Sequence, residues 1–172
     1  MQLLKVIPGR NRHRRGNVMV ESVFTFLPMF ALILFFADIG MMLFRWTTLQ
    51  NAVREGCRYA VTFQTSPGKG QDASVAEVVQ RYAFGLVKTT DNPQRIHVDY
   101  FSPANPNTPI NSGGNVPGNV VEVSVQGLNL SWMFPLSGTF ASPFYASVPL
   151  QLTVRSSDIL GGRPAGTVTI AR

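Results

Sequence analysis

Residues 10–21 read Arg-Asn-Arg-His-Arg-Arg-Gly-Asn-Val-Met-Val-Glu and lead into an apolar run, residues 23–44. This run is 22 residues long, and Asp38 is its one charged side chain. At about 1.5 Å rise per residue it forms roughly 33 Å of helix, enough to cross a hydrocarbon core of about 30 Å. The sequence therefore predicts a membrane-spanning helix near the N-terminus.

The apolar run is too long for the core of a secretory signal, which covers about 7–15 residues. A clean small-x-small cleavage site does not follow it. We therefore expect the run to be retained in the mature protein, with any processing in front of it.

The charge of the chain is distributed unevenly. With 172 residues and a formal net charge of +6, the protein has room for one anchor and one small domain. Five of the 15 basic side chains and none of the nine acidic ones precede Gly16, so residues 17–172 carry a balance of +1. Positive residues beside a span stay cytoplasmic, which predicts a C-terminal domain on the far side of the membrane and no nucleic-acid partner.

Helical periodicity continues past the apolar run to about residue 62, because apolar or small residues recur at spacings of three and four. These residues are Trp46, Leu49, Val53, Gly56, Cys57 and Ala60. We therefore predict three segments: a basic leader at 1–16, a transmembrane and stalk helix at 17–62, and an α+β domain at 63–172. One helix over residues 17–62 would be about 69 Å long.

The α+β domain is predicted to contain a short packing helix and a small antiparallel sheet. Ser74-Val75-Ala76-Glu77 resembles a capping box, which places the start of the helix there. Strand-like alternation occurs at 96–100, 121–125 and 148–154, and more weakly at 167–171. Residues 102–118 are rich in Pro, Asn and Gly and are predicted to form a surface loop.

An aromatic cluster without clear periodicity lies between the second and third predicted strands. It could be core beneath a loop, a surface for another subunit, or a set of interfacial side chains. Its members are Trp132, Phe134, Phe140, Phe144 and Tyr145.

Residues 16–21 resemble the G-x-x-x-x-E site that prepilin peptidases cut in type IV-pilus-like systems. Further matches at residues 20–22, 27–28, 37–40 and 50–60 resemble the N-terminal region of TadE-like proteins, minor pseudopilins of the Tad/Flp tight-adherence pilus. The resemblance covers residues 15–60. Ser22 and Cys57 depart from the family pattern, at a position that often carries an aromatic residue and at one that usually carries Ala.

The resemblance implies cleavage between Gly16 and Asn17 by a membrane aspartic peptidase. The freed ammonium and the Glu21 carboxylate would then neutralise each other between adjacent subunits; alternatively, Glu21 is a solvated acid in the headgroup region. Asp38 could pair with a cation of another subunit in assembly, or could reach the far interface near Arg45.

Small residues on the helix are candidates for close helix packing, as between membrane helices. They are Gly40, Gly56, Cys57 and Ala60. For the stalk residues among them, packing against the protein's own sheet is the alternative. Cys57 is the only cysteine, which excludes an intramolecular disulfide and leaves a buried thiol or a cross-link between two copies.

Nothing in the sequence matches an enzyme motif, so we expect no catalytic residues, metal, cofactor or small-molecule substrate. The resemblance implies a single-pass structural protein of the bacterial inner membrane, with a cytoplasmic N-terminus, a periplasmic domain and incorporation into the pilus as one option. Its implied partners are membrane lipid, prepilin peptidase, other pilins and pseudopilins, and the pilus assembly platform. The alternative function is a membrane-anchored binding module of the cell envelope that does not enter a filament.

Overall fold

The computed structural model describes residues 13–130 and 150–162, which form an α+β protein as predicted. The chain divides into two compact units, Met1–Gly40 and Met41–Arg172. Helix α1, His13–Val61, is 49 residues long and supplies the described residues of the first unit and the opening of the second. The long N-terminal helix predicted over residues 17–62 is therefore confirmed.

The first unit is a helix with side chains exposed on all of its faces. From Val18 to Ile33 every side chain is exposed, most of them apolar. Pro28 lies inside the helix. Such a surface is not that of a helix packed into the core of its own domain.

The second unit contains a four-stranded antiparallel sheet of order β2-β1-β3-β4. The strands are β1 Ile96–Ser102, β2 Asn105–Pro109, β3 Val120–Leu130 and β4 Leu150–Ile159. In the register of β1 with β3, Ile96 pairs with Val125 and Val98 with Val123. The predicted period-2 alternation therefore places the apolar residues of these strands on one face of the sheet.

The core of the second unit lies between this face of the sheet, the last part of α1 and a second helix, α2, Gln71–Tyr82. Helix α1 contributes its small and apolar residues, and α2 contributes Val75, Ala76 and Val79. Fully buried residues of the core include Leu49, Ala52, Val53, Ala60, Val75, Val79, Tyr100, Val121, Val123 and Val125.

The predicted capping box is wrong. Helix α2 begins at Gln71 with Gly70 as its N-cap, four residues before the expected N-cap Ser74, so Ser74 lies inside the helix. The Ser74 hydroxyl donates to the Gly70 carbonyl (2.7 Å) and accepts from the Ser66 N–H (2.9 Å). Glu77 binds Lys69 (2.9 Å) instead of a backbone N–H at the helix start. Ser74 and Glu77, which resembled a capping box in the sequence, therefore bond to the loop before α2.

The predicted loop at 102–118 contains a strand that the alternation rule does not find. All five residues of β2 are exposed, so its side chains carry no period-2 signal. It pairs with β1 through the backbone, with Phe101 opposite Pro109 and Ser102 opposite Asn105. Two prolines in five residues fit an edge strand, since proline cannot donate to a second neighbour.

Some sequence predictions lie outside the described residues. These are residue 148 at the start of the third predicted strand, the strand at 167–171, and the aromatic cluster at 132, 134, 140, 144 and 145. The rest of the third predicted strand is part of β4.

Candidate functional site

The apolar run is exposed along almost its whole length. Phenylalanines at 24, 26, 30, 35, 36 and 44 all expose nearly half or more of their surface, as do most of the leucines between them. A contiguous apolar surface of this size is unfavourable in water and marks a membrane or an interaction surface. Among the described residues, α1 is the one helix long and apolar enough to cross a membrane, judged by length and composition.

The hydroxyl groups of Ser22 and Thr25, near the start of the apolar run, both donate hydrogen bonds within the helix. The Ser22 hydroxyl donates to the Val18 carbonyl (2.7 Å), and the Thr25 hydroxyl donates to the Glu21 carbonyl (3.1 Å). In hydrocarbon every polar group has to find a partner within the protein. Back-bonding to the preceding turn meets that requirement inside a single helix.

The expected cleavage and assembly residues lie along this helix. Gly16 and Asn17 are in the first turns of α1, where the backbone is already helical. Glu21 is exposed on the helix surface, one turn beyond Asn17, and Asp38 is half-buried near the other end of the run. The described structure therefore places these residues on one element, spread along its length.

Gly40 and Gly56 occupy different environments although both lie on α1. A β-carbon added at Gly40 would meet no atom of the described residues within 4 Å, so this glycine leaves an open notch on the helix surface. A β-carbon added at Gly56 would overlap the Cγ2 of Val79 on α2 and lie 3.6 Å from the Cγ1 of Val123 on β3. Gly56 therefore packs within the protein, which was the alternative to contact with another membrane helix.

Cys57 and Ala60 continue the same buried surface as Gly56. The Cys57 thiol lies 3.8 Å from the Val121 carbonyl, to which it donates. Ala60 is fully buried, and its carbonyl accepts from the Gln71 side-chain amide (2.9 Å). The side-chain oxygen Oε1 of Gln71 in turn accepts from the side-chain amide of Asn115 (3.0 Å), so a chain of buried side-chain amides joins α1, α2 and the loop before β3.

The environment of Cys57 keeps its thiol protonated. Burial raises the pKa of Cys57 from an ordinary value of 9.0 to about 11, and the negative charge of Asp158 adds to this effect. Because the thiolate is the reactive form, a thiol in this setting is chemically inert. This geometry corresponds to the buried-thiol alternative.

Side chains able to bind a metal are dispersed. Among residues 18–129 and 151–162, no group of three or more His, Cys, Asp or Glu residues is placed to hold an ion. The features of the structure that can act are therefore the apolar helix surface, its glycine notch and the surface of the folded unit.

A long helix that is apolar on all sides, followed by a folded α+β unit, defines a membrane-anchored, single-pass protein. Residues 16–58, about a quarter of the chain, match the family model described as TadE-like protein. The matched segment includes the apolar run, the notch at Gly40 and the buried surface around Gly56. Comparisons with curated proteins and with solved structures each gave no match.

Sequence reasoning missed two residues that the structure makes prominent. Met42 is inside the apolar run, yet it packs against the core of the second unit. Phe84 has a positive φ of 49° and is 80 % exposed, although it directly follows the buried Ala83. The position of Phe84 follows from the end of α2 at Tyr82, after which the chain turns.

Proposed function

We propose that this protein is a minor pseudopilin of a Tad/Flp-type pilus, matured by prepilin peptidase and held in the inner membrane by α1. The observation that carries the proposal is the exposed apolar helix, which coincides with the TadE-like segment. The role is structural. The helix packs in the membrane, and the folded unit determines which neighbours dock.

The orientation follows from the charge distribution. The basic residues before Gly16 keep the N-terminus in the cytoplasm, so the α+β unit lies in the periplasm. The partners we propose are membrane lipid, prepilin peptidase, a second pseudopilin of the same kind, the major pilin and the assembly platform.

The proposed maturation hydrolyses the amide between Gly16 and Asn17. Water adds to the Gly16 carbonyl, which leaves a carboxylate on Gly16 and a new amine on Asn17. Because the scissile bond lies in helical backbone, the first turn of α1 has to unwind before a peptidase binds it in an extended form. Glycine favours this step, since it is a weak helix former.

The new amine and Glu21 are suited to neutralise each other. An α-amino group has a pKa of about 7.7–8.0, so it is largely protonated at neutral pH. Asn17 and Glu21 are four residues apart and share a face of the helix. A charge in mid-span costs about 2.5–3.5 kcal/mol on the insertion scale, so pairing between adjacent subunits favours assembly in the membrane.

We assign different packing roles to Gly40 and Gly56 of α1. Gly56 is used inside the protein, against Val79 and Val123. Gly40 is open and lies within the apolar run, where a small residue lets another helix approach closely. We therefore assign contact with a neighbouring subunit to the surface around Gly40.

Mass spectrometry of the full-length protein purified from membranes tests this proposal. In cells with active prepilin peptidase, the mature protein should begin at Asn17, and in cells without it at Met1. An intact Met1 in the presence of the peptidase would overturn the maturation step. If the uncleaved protein also failed to co-purify with pilins, the function would be that of an envelope binding module.

A further inference from the structure

The side of the sheet that faces away from the core, which we name the outer face, carries an apolar row. The inner face, which includes Val121 and Val123, packs on the helices. On the outer face the strand register places one apolar residue of each strand side by side. The members of this apolar row are Pro109 on β2, Phe101 on β1, Val120 on β3 and Ile159 on β4. Ile159 is 63 % exposed, and Phe101 and Val120 are half-buried, so part of the row is open to solvent.

An acidic row lies next to the apolar row on the outer face. Asp99 on β1 is directly opposite Glu122 on β3, and Ser157 on β4 completes the row. Like charges directly opposite each other on neighbouring strands are unfavourable. The Nη1 of Arg155 lies 3.7 Å from the Oε1 of Glu122, so one guanidinium accompanies two carboxylates. The outer face therefore combines an apolar row with a neighbouring row of net negative charge.

The turn after α2 has the complementary chemistry, and we name it the aromatic–basic turn. Its exposed side chains are Arg81, Tyr82, Phe84 and Lys88. Phe84 is 80 % exposed and has a left-handed φ of 49°, which is unfavourable for a bulky L-residue. Ala83 and Val87 on either side of it are buried in the core. The turn is therefore fixed to the core while it presents a large apolar side chain to the outside.

The charge of the aromatic–basic turn is positive. Between Glu77 and Asp91 the chain has two basic residues and no acidic one. The two acids themselves are each close to another cation, because Glu77 is 2.9 Å from Lys69 and Asp91 is 3.8 Å from Arg95. The two cations of the turn therefore remain as an excess of positive charge around Phe84.

The aromatic–basic turn and the outer face lie on opposite sides of the sheet. Helix α2 packs on the inner side, where Val79 occupies the space beside Gly56. Val87, after the turn, belongs to the same core. The turn therefore cannot reach the outer face of its own sheet, and a contact between the two surfaces has to join two copies. Because the two surfaces differ, such a contact is heterologous and repeats head to tail.

We propose that the aromatic–basic turn of one copy docks on the outer face of a second copy. Phe84 packs on the apolar row, while Arg81 and Lys88 pair with the carboxylates of the acidic row. Residues two apart in a strand are separated by about 7 Å, so a cation three or four residues from Phe84 reaches the second row. The contact is small and hence weak in solution, but anchoring in one membrane raises the local concentration of copies. The inference goes beyond the proposed maturation and does not depend on it.

Cross-linking between two tagged forms of the full-length protein tests the contact. Both forms carry Cys57→Ala, which removes the one native cysteine, and they are made together in membranes of a host without other pilus subunits. The first form carries Tyr82→Cys on the turn, and the second form, with a larger tag, carries Ser157→Cys in the acidic row. Gln151→Cys is the matched control for the second form, because it is exposed on the same strand and face about 20 Å from residue 157. A short bis-maleimide reagent then joins cysteines that lie close together.

We expect a product of the two tagged forms for Tyr82→Cys with Ser157→Cys, and little product with Gln151→Cys. Phe84→Ser in the first form should abolish the product, because it removes the apolar anchor. Equal cross-linking to Ser157→Cys and Gln151→Cys would show random collision and overturn the proposal. Efficient cross-linking of Tyr82→Cys to itself would mean that two turns meet, and a product formed only with other pilus subunits present would assign the outer face to another protein; either result would also overturn it.

Charge reversal tests the pairing between the two surfaces. Arg81→Glu with Lys88→Glu in the first form should lower the amount of product about fivefold, as should Asp99→Lys with Glu122→Lys in the second form. Combining the two reversed forms should restore the product, and a failure to restore it would contradict the charge pairing. Near-UV circular dichroism checks the fold of each variant, and retention in membranes after alkaline extraction reports anchoring separately from docking.

Discussion

The packing of Gly56 gives the sharpest test of how the folded unit is built. Gly56→Ala gains about 1 kcal/mol of helix propensity over glycine. The added β-carbon overlaps the Val79 Cγ2, however, and overpacking of a core costs about 1–3 kcal/mol. We therefore expect a net loss of up to about 2 kcal/mol in the free energy of unfolding.

Gly56→Leu should lose more, because three further carbon atoms enter the space between α2 and β3. We take the upper end of the same range, about 3 kcal/mol. For a chain of this size, this corresponds to a fall in melting temperature of roughly 6–12 °C. The assay is a thermal melt of the full-length protein in lipid nanodiscs, followed by near-UV circular dichroism, which reports tertiary packing of the folded unit.

Gly40→Leu is the matched control, since the same change occurs on the same helix at a position with open space. It should leave the melt unchanged and reduce co-purification with other pilus subunits. The reasoning is refuted if Gly56→Leu melts with the wild-type protein, or if Gly40→Leu lowers the melting temperature as much as Gly56→Leu does.

Three further predictions concern the described contacts of the folded unit. The hydrogen bond and charge of Lys69 lower the pKa of Glu77, so the pair stabilises the fold above the ordinary glutamate pKa and loses this effect as the pH falls through the lowered value. Glu77→Gln should therefore flatten the dependence of the melting temperature on pH in that acidic range. An unchanged slope would contradict the prediction. At pH 8, Cys57 should react with a thiol reagent at least about a hundredfold more slowly in the folded protein than in urea, because burial raises its pKa from 9.0 to about 11 and so lowers the thiolate fraction. Rapid labelling of the folded protein would show that the Cys57 thiol is accessible and reactive. Gln71→Leu removes two buried hydrogen bonds, one to the Ala60 carbonyl, which keeps the Phe63 N–H as a donor, and one from the Asn115 amide. The change should cost about 1–3 kcal/mol in chemical unfolding, and a loss below the error of the measurement would mean that water replaces the Gln71 amide.

The sequence predicted those parts of the fold in which side-chain burial follows the period of the backbone. The long helix and the alternation at Ile96 and Val121 both have this property. Strand β2 does not, because its five exposed residues contribute only backbone hydrogen bonds to β1. The predicted start of α2 was wrong because the sequence does not show which groups Ser74 and Glu77 bond to. In the structure both bond to a neighbouring loop and not to the helix terminus.

For the candidate site, the sequence predicts which residue types lie along the helix but not the tertiary environment of each residue. The sequence gives Gly40 and Gly56 the same small side chain, and only the tertiary fold shows that one is open and the other is filled by Val79. Similarly, the position of Phe84 depends on where α2 stops and on the path of the turn after it. These properties arise from contacts between residues distant in sequence, which periodicity cannot report.

The edge strand β2 limits how copies of this protein can join. Pro106 and Pro109 have no N–H group, so two of its five residues cannot donate a hydrogen bond to a strand of another molecule. Lateral growth of a continuous sheet from this side is therefore interrupted. If the protein assembles as proposed above, such a proline-containing edge would disfavour irregular aggregation through the edge of the sheet and leave contact between copies to the helices and the outer face.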